Sequence, residues 1–253
     1  MANIQISFMN RSTVLTDDQV QAALPALQTQ VHRDFAPIWG TDADLTFVPT
    51  NSNPAPGTWW LTVFDNSDVA DALGYHDLTP DGLPIGKVFA GSDIQFGQSW
   101  TVTASHELLE MLGDPDINLT VFVQDSNTAG KLYAYEVCDT CEADDLSYAI
   151  NGVQVSDFVY PAWFESFRAA GSTQFDYQKK INAPLQLLSG GYIGVFDIAS
   201  GSGWQQLQAE KEPATALIRA RLGSRRERRR ILRQHWMRSA PKPSVHQKYF
   251  AAA

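Results

Sequence analysis

Residues 100–115 read WTVTASHELLEMLGDP. Trp100, Val102, Leu108, Leu109, Met111 and Leu112 make this stretch apolar on most sides, which predicts a buried helix over Trp100–Leu112. Gly113-Asp114-Pro115 stops it, since proline cannot continue a helix and restricts the residue before it. Within the helix His106 and Glu110 stand four residues apart and so share one face. Together they can chelate one cation. Glu107, beside His106, can lean toward a metal-bound water as its general base. The carboxylate at 110 stands where a zinc-protease helix carries its second histidine. Oxygen and imidazole both bind zinc. The carboxylate adds negative charge, raises the pKa of a bound water and admits other divalent ions such as Mn²⁺ or Ca²⁺. The competing reading is a helix whose acids face solvent. A buried helix that presents a histidine and two glutamates instead demands a partner for their charge.

A second cluster follows at Glu136-Val137-Cys138-Asp139-Thr140-Cys141-Glu142. Two ligands hold a metal weakly, so a further donor is needed from downstream. Glu136 closes an expected strand and is the first choice for third ligand; Asp139, one short turn later, is the alternate. Cys138 and Cys141 form a CxxC pair. They can complete a His/Cys/Cys site, form a disulfide, or be structural, and the sequence leaves these open.

HELLE followed by EVCDTCE resembles the HELxE…E-[IV]-x-D-x-C-E pattern of the phosphate-induced, EXORDIUM-like plant proteins. It is also similar to bacterial and fungal proteins in which HExxE is followed by Asp-Pro, here Asp114-Pro115, described as zincin-like metallopeptidases. Val155–Phe164 and Gly190-Gly191-Tyr192 look like the later part of the bacterial members, and the likeness covers roughly residues 95–195. It implies a zincin-like fold and a zinc-dependent peptidase acting on a peptide or protein, with the metal on His106, Glu110 and either Glu136 or Asp139. The chain departs from the usual peptidase pattern in having no HExxH, and Cys138 is outside the motif.

Outward from the helix, Asn3–Phe8 alternates as a strand, and Thr16-Asp17-Asp18-Gln19 is a capping box opening a helix that Pro25 should kink or delay. Leu45–Pro49 and Trp59–Phe64 read as strands, and residues 65–98 as irregular loops with one strand near Gly86–Ala90. Strands are expected at 119–124, 131–137 and 147–155, the last turning at Asn151-Gly152, and at Ile193–Ile198. His76 falls among the loops and Asp157–Phe164 is an aromatic cluster suited to a core. Helices that do not alternate strictly with strands give an α+β class: a zincin-like mixed sheet with an active-site helix.

Charge divides the chain. Residues 210–253 carry 12 Lys and Arg against 3 acids, whereas the remainder carries 7 against 25, so an acidic body of −18 bears a basic tail of +9. Gly201-Ser202-Gly203 reads as a hinge, giving a metal-binding domain over 1–203 and a tail over 204–253. Ala214–Arg238 is a helix candidate with Leu217, Ile218, Leu222, Ile231, Leu232 and Trp236 as apolar positions. That stripe points to a protein partner or self-association, and the acidic body argues against nucleic acid as the main partner. The composition, 44% hydrophobic and 19% charged, excludes a disordered chain. No apolar run suits a transmembrane helix, and the amino terminus has no signal-peptide pattern, which leaves the cytoplasm or a non-classical export route as the expected location.

Overall fold

The computed structural model describes residues 3–68, 72–200 and 203–209, and its first strand is β1 (Ile4–Asn10). β2 (Ala43–Val48) and β3 (Trp59–Phe64) pair with β1 in parallel, one on each side. β4 (Gly74–Leu78) and β5 (Pro84–Phe89) complete this sheet, β5 parallel to β3 and β4 antiparallel at the edge, in the order β2-β1-β3-β5-β4. Phe8, Leu61, Val63 and Val88 are fully buried, as parallel strands covered on both faces require. The result is a mixed α+β architecture.

Helix α1 (Asp17–Thr29) opens on the capping box: the Gln19 amide donates to Thr16 Oγ1 at 3.2 Å and the Thr16 amide to Gln19 Oε1 at 2.9 Å. Contrary to the expectation for Pro25, the helix starts before it and runs through it. It then widens into a π-helical turn, Gln30–Phe35, before the short α2 (Ala36–Trp39), which ends at Gly40 with φ +74°. The wider turn aims Gln30 into the core. Gln30 accepts from the Ser105 hydroxyl at 2.6 Å and donates to the Ser156 carbonyl at 2.8 Å, while the Ser156 amide donates to Ser105 at 2.9 Å. These bonds anchor the residue immediately before His106.

The described residues between 65 and 98 hold more regular structure than expected. They contain β4, β5 and the short helix α3 (Ala90–Gln95). The hairpin between β4 and β5 turns at Thr79-Pro80-Asp81-Gly82, where Gly82 has φ +81° and the Thr79 amide donates to the Leu83 carbonyl at 2.7 Å. Glycine and aspartate in β4 lower its intrinsic strand signal, and pairing with β5 overrides that.

Helix α4 (Trp100–Gly113) lies where predicted and is buried continuously from Val102 to Leu112. It packs against β3, β4 and β5. Beyond it come β6 (Thr120–Gln124), β7 (Gly130–Ala134) and a hairpin of β8 (Tyr148–Ile150) and β9 (Val153–Val155) turning at Asn151-Gly152. β10 (Tyr192–Asp197) and β11 (Trp204–Gln208) complete a second, antiparallel sheet in the order β11-β10-β7-β6. The residues of β11, assigned from sequence to the tail, thus pair with β10 and belong to the body; Gly203 lies in a strand connection. The predicted basic helix, Ala214–Arg238, lies outside the described residues.

The aromatic segment closes the core, with Phe158 and Trp163 fully buried and Phe158 against Phe35 at 5.4 Å between ring centres. Asp157 and Asp176 are both buried at its base. Asp157 accepts from the amides of Phe158 and Gln178, and Asp176 from those of Lys180 and Ile181. Burial first, and the facing Asp176 carboxyl second, push the Asp157 carboxyl up to about 8. An unfolded aspartate ionises near 3.8, so between these values the folded chain holds a proton that the unfolded chain has lost. This contribution to stability is therefore present in acid and fades as pH rises toward 8. Asp157→Asn imitates the protonated form. It is expected to melt within about a degree of the parent near pH 3 and increasingly above it as pH rises from about 4 to 8. Thermal melts across that range check this; parallel pH profiles for the two proteins refute the assignment.

Candidate metal centre

Helix α4 supplies the first donors. His106 Nε2 lies 3.1 Å from Glu110 Oε2, one turn along the same face. The Cys138 amide donates to Glu110 Oε1 at 3.3 Å, which holds one oxygen and leaves the other toward His106. The chain after β7 returns across this face: Val137, Cys138 and Cys141 pack into the core, and Asp139–Cys141 form a single 3₁₀ turn. That turn carries Asp139 Oδ1 to 3.2 Å from His106 Nε2. Two carboxylates therefore meet one imidazole nitrogen.

Burial disfavours a charged His106, but the hydrogen bond to Asp139 and the negative charge of Glu107, Asp139 and Glu142 outweigh it, and the imidazole is held above its ordinary pKa. The Cys138 and Cys141 thiols are free and buried, and burial pushes both well above the usual thiol range. The disulfide option is thus not realised.

His76 reaches the same cluster from edge strand β4. Its Nδ1 lies 3.8 Å from Glu110 Oε2 and 3.9 Å from Glu107 Oε2. Glu107 points under the sheet into space that glycine leaves open. A Cβ on Gly74 would stand 2.7 Å from Glu107 Oε1, and one on Gly86 would stand 3.4 Å from Glu107 Cβ.

Three groups have ligating atoms within 4.8 Å of one another: His106, Glu110 and Cys138; His76, Glu110 and Glu136; and His106, Asp139 and Glu142. All five residues singled out in the sequence thus lie in one buried region. Within it, Glu136 groups with His76 and Glu110, while Asp139 is the nearer partner of His106. Sequence reasoning passed over His76 and Glu142 and left Cys138 unassigned. The Pro-Asp-Gly turn after β4 is the signal that marks a hairpin and lifts His76 out of the loops. By contrast, Asp65 and Asp68, between β3 and β4, are engaged elsewhere, Asp65 with Ser12 and Thr13 and Asp68 with Lys87 and Tyr75.

The donor set fits a divalent cation. Glu107, Glu110, Glu136, Asp139 and Glu142 are all buried. The seven Lys and Arg of residues 1–209 point away: Arg11 bonds the carbonyls of Asn10, Pro49, Thr50 and Ser52, Arg33 pairs with Asp34, Lys87 with Asp68, Lys131 with Asp125 and Arg168 with Glu165, and Lys179 and Lys180 are exposed. Compensation for so much buried negative charge comes from the imidazoles, from protons or from a bound cation.

Gly191 sets the height of the Asp139 turn. A Cβ there would collide with the Thr140 carbonyl and crowd that of Asp139 at 3.1 Å. Gly191→Ala is expected to displace Asp139 and weaken Zn²⁺ binding by about 10–100-fold, measured by competition with a chelating dye. Unchanged affinity contradicts a ligand role for Asp139. Comparison with protein-family models, with curated proteins and with solved structures finds no match to this chain.

Proposed function

We propose that this chain is a zincin-like, metal-dependent hydrolase of peptide bonds. Its ion, Zn²⁺ or another divalent cation, is held by His106, Glu110 and Asp139. The observation that carries the proposal is the convergence on His106 Nε2 of Glu110 at 3.1 Å and Asp139 at 3.2 Å, in a region that the lysines and arginines of the described residues avoid. Asp139 is preferred to Glu136 because it is the carboxylate in contact with His106. The peptide substrate comes from the resemblance of HELLE and EVCDTCE to the HExxE proteins.

A divalent ion at this point supplies a Lewis acid that polarises a carbonyl and lowers the pKa of water. The chain's own groups do the rest. Glu107 takes the proton of the attacking water and returns it to the leaving amine. Gly74 keeps the space that Glu107 occupies, and the Cys138 amide orients Glu110. Among the described residues no helix is long and apolar enough to cross a membrane.

A second reading is a metalloprotein without turnover, acting as a structural or binding component of a larger assembly. The depth of the donors favours it: the side chains of His106, Glu107 and Glu110 are 7%, 4% and 0% exposed. Elemental analysis combined with a peptide-library assay separates the two. The hydrolase reading expects metal in the purified protein, its loss in His106→Ala, and a Glu107→Gln variant that keeps the metal while losing about 10²–10⁴-fold in rate. Metal without hydrolysis in the parent supports the structural reading, and absence of metal refutes both.

For residues 210–253 we infer a protein partner, a second copy of the chain being the first candidate, because an apolar stripe accompanies the positive charge. Deleting everything after Ala209 is expected to leave the melting temperature within about 2 °C and to abolish self-association in sedimentation. A body that fails to fold without these residues overturns that separation.

A further inference from the structure

Glu110 stands between two imidazoles. Its Oε2 is 3.1 Å from His106 Nε2 and 3.8 Å from His76 Nδ1. Of the three ligand groups in the cluster, two share no residue: His76, Glu110 and Glu136 form one, and His106, Asp139 and Glu142 the other. The histidines come from different elements, His76 from edge strand β4 and His106 from α4, and both are buried. The alternation of β4 sends His76 toward α4 while the neighbouring Tyr75 turns to Lys87 and Asp68.

We propose that the cluster is a two-ion centre in which His76, Glu110 and Glu136 take a second divalent cation beside the one at His106, with the Glu110 carboxylate between them. The proposal rests on the reading of His106, Glu110 and Asp139 as a metal site and extends it. Charge supports the number of ions. Five carboxylates and two neutral imidazoles carry five negative charges when all the acids ionise. One divalent ion leaves three of these in an apolar region, and a second leaves one. Ligand geometry points the same way. Glu136 does not group with His106, so a single ion on His106 takes neither Glu136 nor His76, which form their own group with Glu110. Imidazole with carboxylate suits Zn²⁺ and Mn²⁺ alike, so either ion serves as a probe.

The test uses the full chain, freed of metal by dialysis against a chelator and titrated with Zn²⁺ in a calorimeter. Mn²⁺ loading followed by electron paramagnetic resonance gives an independent readout. The parent is expected to bind two Zn²⁺ per chain, and its Mn²⁺ form to show the spectrum of a spin-coupled pair. His76→Ala is expected to bind one Zn²⁺ and to give an isolated Mn²⁺ signal. If His76→Ala does not fold, Glu136→Gln, nearly isosteric, is expected to behave the same way. One Zn²⁺ in the parent that persists in His76→Ala or Glu136→Gln overturns the second ion and leaves the first in place. One Zn²⁺ that is lost with His76 and kept in His106→Ala overturns the two-ion centre and also the ion assigned to His106. No Zn²⁺ binding overturns both.

Discussion

Five carboxylates gathered around one helix in an apolar interior set the terms for everything near them. Removing one ionised carboxylate from water costs several kcal/mol even after the protein relaxes. An arrangement of five can persist only with compensating positive charge or retained protons. Elements from both sheets meet at that point: β4 brings an imidazole, the segment after β7 brings carboxylates, and β10 begins at the glycine pair that fits against the Asp139 turn. Each contact would be pointless for hydrophobic packing alone, where leucine does the same work with no desolvation penalty.

The helix itself is built to tolerate this load. Leu108, Leu109, Met111 and Leu112 are buried to 2% exposure or less and anchor three sides. The Gln30–Ser105–Ser156 hydrogen bonds fix its rotation beside His106. Buried polar groups satisfied by one another cost little and specify one orientation. The π-helical turn that positions Gln30 is a local irregularity of the kind that concentrates near functional sites.

Most of this was legible in the sequence where local signals were strong. The i, i+4 spacing of His106 and Glu110, the Thr16 capping box and the Asn151-Gly152 turn each act over a few residues, and each appears in the structure as read. Long-range effects were not legible. β4 has the composition of a loop and becomes a strand only through β5, so His76 was passed over. The choice between Glu136 and Asp139 depends on how the 3₁₀ turn rotates, which a contact with Gly191, some fifty residues later, decides. The strand β11 follows a Gly-Ser-Gly sequence that serves equally as hinge or hairpin, and only its pairing with β10 distinguishes the two.

The position of β4 at the edge of its sheet has one more consequence. The strand is hydrogen-bonded to β5 on one side only, whereas α4 packs against β3, β4 and β5 and against β9. Proteins open in cooperative pieces, and those with the fewest neighbours open first. Peeling β4 from β5 carries His76 away while His106, Glu110 and Asp139 stay fixed by the interior. The two imidazoles thus belong to units with different lifetimes. In amide exchange the edge near His76 should turn over on a faster clock than the helix that bears His106, and whatever bridges them sets the difference.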